Sequence, residues 1–150
     1  MSVTDLEMAV LHAQITGNDE TAQRAFSEKL AVSGDLRGLA ALVHAAFVIA
    51  ARRKFAPQWS RAEVIRYVAQ VRTLLSERPA LLDPLTAEDE LRNALGEPVT
   101  ATHEVGAVAA ARLSLLLALA ASLDLDDKAI ANLLGDARDT ANRMLEDARS

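Results

Sequence analysis

LAALVHAAFVIAARRKFAPQWSRAE, residues 39–63, decides the fold class of this chain. An apolar, alanine-rich run ends in three adjacent cations, Arg52, Arg53 and Lys54. Cations at a helix C-terminus complement the macrodipole, each by about 0.3–1 kcal/mol. Pro57 follows where a helix stops, and Ser60 with Glu63 has the spacing of a capping box that starts the next one. Trp59 precedes that cap and is placed for a hydrophobic staple to Val64. The stretch therefore reads as helix stop, turn and helix start, with surplus positive charge left for a contact.

Outward from this joint, helical signals continue in both directions. TDLEMAVLHAQITG opens with Thr4 and Glu7, a second capping box, and stops at Gly17. A helix is expected from about Asn18 to Gly34, then DLRGLAALVHAAFVIAARRK over 35–54. SRAEVIRYVAQVRTLLSER ends before Pro79, and PALLDPL (79–85) is a proline-punctuated connector. TAEDELRNALG begins at Thr86, GEPVTAT is a loop, and a second apolar helix spans about 103–123. The last helix runs from Asp124 or Asp126 towards Arg149, with Gly135 as a potential break.

The spacing predicts an all-α chain: a compact helical bundle of six or seven helices in a single domain, 1–150. Two apolar central helices, about 35–54 and 103–123, are wrapped by amphipathic ones. Val64, Tyr67, Val68, Val71, Leu74 and Leu75 form one stripe. Ile130, Leu133, Leu134, Ala137, Ala141, Met144, Leu145 and Ala148 form another. Composition agrees: 51% of residues are apolar but only 3% aromatic, a balance that favours close-packed helices over sheet.

The absence of cysteine excludes disulfides and thiolate chemistry and fits a reducing, cytoplasmic setting. The first residues lack a basic region ahead of an apolar stretch, so no secretory signal is expected. The tracts 39–51 and 113–123 read as too short to span a bilayer, and no membrane partner is expected. Arginine outnumbers lysine, which with the alanine content suggests a GC-rich, bacterial source. The net charge of −5 is uneven: −3 over 1–34, +5 over 35–78 and −7 over 79–150. The flanks either neutralise the centre or leave it for an acidic partner.

The cluster Arg52, Arg53, Lys54, Trp59 and Arg61 is the candidate contact patch. A nucleic-acid groove is disfavoured, because Arg61 and Arg72 share a helix face while Arg66 and Arg78 point elsewhere. In SEKLAVSGDLRGLAALV (27–43), a second helix-turn-helix look-alike, the would-be recognition helix carries only Arg37 before turning apolar. His44 and Arg112 interrupt the two apolar helices, either as buried polar partners or as the lining of a small pocket for an anion. HEVGA is not HExxH, and no phosphate loop or GxSxG appears. No metal, cofactor or catalytic activity is expected. The function expected is a non-enzymatic protein-interaction module, able to form a homodimer. A nucleic-acid regulator using 52–61 and a small-ligand sensor stand as alternatives.

Overall fold

The computed structural model describes residues 2–17, 37–74, 82–99 and 101–148. Among them the chain is all-helical, with six α-helices and no strand: α1 (Asp5–Thr16), α2 (Arg37–Phe55), α3 (Arg61–Leu74), α4 (Pro84–Ala94), α5 (Val105–Ser122) and α6 (Asp127–Asp147). The helix expected over 18–34 lies outside the described residues. So do Leu75–Arg78 at the end of the fourth expected helix and the start of the connector after it.

Two compact units divide the chain. The first comprises Met1–Ala46 and Asp124–Ser150, and the second is the continuous segment Phe47–Leu123. One boundary falls inside α2 and the other in the turn between α5 and α6.

In the first unit the box on α1 forms in full. Thr4 Oγ1 accepts from Glu7 N, and Glu7 Oε1 accepts from Thr4 N at 2.9 Å. Gly17 ends the helix at φ 65°, a left-handed conformation that suits glycine. The α6 stripe packs inward in this unit, with Ile130, Leu133, Leu134, Ala137 and Ala141 buried alongside Val3, Val10, Leu11 and Leu42. Each buried leucine contributes about 1.5–3 kcal/mol of transfer free energy. α1 packs on α6. Arg138 joins them by donating to Asp5 Oδ1 and the Val3 carbonyl, while Val3 N donates to Asn142 Oδ1. Gly135 does not break α6, because apolar positions on both sides of it hold one face in the core.

In the second unit α4 packs on α3 and on α5. Its start differs from the sequence reading. Asp83 is the N-cap and Pro84 occupies the first turn, where a missing N–H costs nothing; the helix begins two residues before Thr86. Val64, Tyr67, Val68 and Val71 are buried as the stripe requires, but Leu74 is 79% exposed. Glu104 caps α5 through Gly106 N and Ala107 N. α5 buries Ala111, Leu115, Leu116, Leu119 and Ala120 and leaves Val105 and Ala109 exposed, so its apolar surface exceeds its buried face. By length and composition alone this helix is also long and apolar enough to cross a membrane. The tract 113–123 is too short for that, but the folded helix extends it upstream through VGAVAAA.

Candidate functional site

The second unit holds the end of α2, all of α3 to α5, and the whole candidate patch. Arg52 donates from Nε to the carbonyl of Ala94, 2.9 Å away, and so satisfies an orphan acceptor at the end of α4. Arg61 donates to Glu97 Oε1 at 3.0 Å. Arg53 is exposed and Trp59 half-buried. Lys54 lies with Nζ 5.8 Å from the centre of the Tyr67 ring, within cation–π range. Ser60 caps α3 by accepting from Glu63 N at 3.2 Å; the reciprocal half of that box does not form. The patch is thus three separate arrangements: Arg52 on α4, Arg61 on Glu97, and Lys54 over an aromatic face.

Around Tyr67 an open cleft of about 320 Å³ is lined by residues of α2, α3 and the end of α5. Phe55 packs against Tyr67 with centroids 5.4 Å apart. The Tyr67 hydroxyl shares a 3.1 Å hydrogen bond with Ser122 Oγ. Burial raises the Tyr67 phenol above its usual range, against the opposing effect of that bond, so it stays protonated at neutral pH.

His44 and Arg112 belong to different units. His44 is half-buried in the first unit. Arg112, in the second, donates from Nε to Glu90 Oε1 at 2.6 Å, with the two side chains 25% and 13% exposed. That ion pair accounts for a charge in the middle of an apolar helix.

A polar network that the sequence reading did not single out surrounds α4. His103 Nε2 lies 2.7 Å from Asp89 Oδ2, and its Nδ1 lies 3.2 Å from Thr86 Oγ1, which also reaches Asp83 Oδ2 at 2.8 Å. The order hydroxyl, imidazole, carboxylate resembles a nucleophile with its base. Thr86, however, is 2% exposed and serves the N-cap, so its hydroxyl meets no substrate. The Thr86 N–H and hydroxyl hold the Asp83 carboxyl below the usual carboxylate range.

Glu97 is the other hub. The Arg92 side chain, then that of Arg61, lowers its carboxyl to about 2. A folded value below the unfolded 4.5 means the contribution to stability is fully present above about pH 4.5 and is lost as pH falls towards 2. Glu97→Gln is therefore expected to lower the unfolding midpoint at pH 7–8, to flatten its pH dependence within that window and to converge with the parent near pH 2, as urea titrations at several pH values would show.

Among the described residues no group of three or more His, Asp or Glu side chains is placed to hold a metal ion. No family model, no curated protein and no solved structure matches the chain.

Proposed function

We propose that this chain is a non-enzymatic helical protein-interaction module, able to self-associate, working in the cytoplasm through the surface of its second unit. One observation carries the reading. The large apolar side chains exposed among the described residues, Ile65, Leu74, Leu85 and Val105, all belong to that unit. In the first unit, by contrast, the buried part of the α6 stripe is used inside the chain, which removes the main reason for pairing through that helix. Large apolar side chains left in water favour a contact with another protein that covers them.

Two features weigh against the other partners. Arg52 and Arg61 are engaged by Ala94 and Glu97, which leaves fewer cations for a phosphate backbone. Arg112, near the middle of α5 and paired with Glu90, would be costly at the centre of a bilayer.

The test is absolute mass by light scattering behind a sizing column, at low and high salt. The expected result is a mass above the 16.1 kDa of one chain that persists in high salt and falls to one chain in Ile65→Asp/Val105→Asp. A single-chain mass in both salts, up to about millimolar protein where even weak association registers, would remove self-association from the reading.

A further inference from the structure

The cleft beside Tyr67 supports an inference independent of the contact surface. We propose that it binds a small oxyanion, the carboxylate or phosphate group of a ligand of modest size, through Lys54, Arg66 and the Tyr67–Ser122 hydroxyl pair.

The cations of the second unit differ in their partners. In the second unit Arg52, Arg61, Arg72, Arg92 and Arg112 each donate to an oxygen of the chain at 3.0 Å or less. Lys54 and Arg66, both lining the cleft, meet no carboxylate. Lys54 faces the Tyr67 ring. Arg66 makes one long bond, from Nε to the Ala62 carbonyl at 3.4 Å, so its two terminal nitrogens keep their donors for a planar oxyanion.

The hydroxyl protons of the cleft outnumber the bonds that use them. Tyr67 and Ser122 bring two hydroxyl protons and use one in the bond between them. Whichever hydroxyl donates, the other retains a proton for an acceptor in the cleft. The Gln70 amide on the same wall adds further donors. Glu63 is the one acid of the lining, which leaves it with a net charge of +1.

Size sets a further limit. A cleft of about 320 Å³ lies at the small end of ligand sites, about 300–1,000 Å³. It accommodates an oxyanion with a short organic body against Phe55 and Tyr67, not a folded polymer.

The experiment is an amide NMR titration of the full chain with inorganic phosphate and, separately, with succinate. Sodium chloride of matched ionic strength is the control. The proposal expects saturable shifts at Lys54, Phe55, Tyr67, Gln70 and Ser122, with a Kd on the order of 1 mM. Lys54→Gln/Arg66→Gln is expected to weaken binding at least about tenfold through lost charge-assisted bonds while leaving the unfolding midpoint in place. Glu63→Gln is expected to tighten it by about fivefold, the scale of one exposed charge contact. Saturation by phosphate alone assigns a phosphoryl ligand, by succinate alone a carboxylate ligand, and by both the oxyanion in general. Non-saturating shifts reproduced by chloride, shifts that spread to Lys128 and Arg143 on α6, or unchanged affinity in the double variant would each overturn the proposal.

Discussion

Gly38→Val is expected to destabilise the protein by about 3 kcal/mol, summed from a lost helix cap and a displaced buried carboxylate. A Cβ at Gly38 would stand 2.6 Å from both carboxylate oxygens of Glu7. The far end of a glutamate normally swings away at little cost. This one is 5% exposed and is held by Thr4 N and Thr4 Oγ1 at 2.9 and 3.1 Å. Moving it opens the capping box of α1 and withdraws the carboxylate from the first turn of α2, where the macrodipole favours an anion. Gly38→Ala meets the same clash, but alanine recovers up to about 1 kcal/mol of helix propensity, so its net cost is expected near 1–2 kcal/mol. In a Glu7→Ala background Gly38→Ala should become neutral or stabilising. Denaturant titrations of the four proteins in this cycle supply the test. A stabilising Gly38→Ala in the presence of Glu7 would show that the carboxylate moves freely and that the glycine is not required for close approach.

Arg112→Met is expected to cost about 2–3 kcal/mol, below the range for fully buried pairs because both partners keep some solvent. The loss comes mainly from Glu90, left 13% exposed without its donor and lacking water to replace it. Changing both residues, Arg112→Met/Glu90→Met, removes the stranded charge and fills similar volume. The double variant should lie within about 1 kcal/mol of the parent. A double-variant loss equal to the sum of the Arg112→Met and Glu90→Met losses would mean that water already screens the pair.

What the sequence carried best was local. Thr4 with Glu7 and Asp126 ahead of α6 mark helix starts, because the cap and the amide it receives lie within three residues. The apolar stripes of α3 and α6 were equally plain, as periodicity alone places a face inward. Pro84 misled because proline both stops one helix and suits the first turn of the next; Asp83, a side-chain acceptor, decides between them. Leu74 follows its stripe, yet it sits at the last residue of α3 and stays exposed. The candidate site was only half legible. Arg52 and Lys54 announce themselves as cations, but their fates depend on Ala94 and Tyr67. The cleft also requires Ser122 to meet Tyr67 across 55 residues. The link of Arg61 to Glu97 spans 36. Nothing in local spacing reports such meetings.

The bond between Val3 and Asn142 spans 139 residues, and it orders events on the ribosome. Phe47–Leu123 is contiguous, so its helices emerge together and can collapse while the C-terminal segment is still being made. α1 emerges first yet must wait for α6 to cover Val10 and Leu11. At about 5–20 residues per second, that delay lasts several seconds or more, during which the N-terminal segment presents apolar surface to whatever meets a nascent chain. Closing so long a loop also slows refolding, which makes the pairing of α1 with α6 the step most exposed to misassembly and chaperone capture.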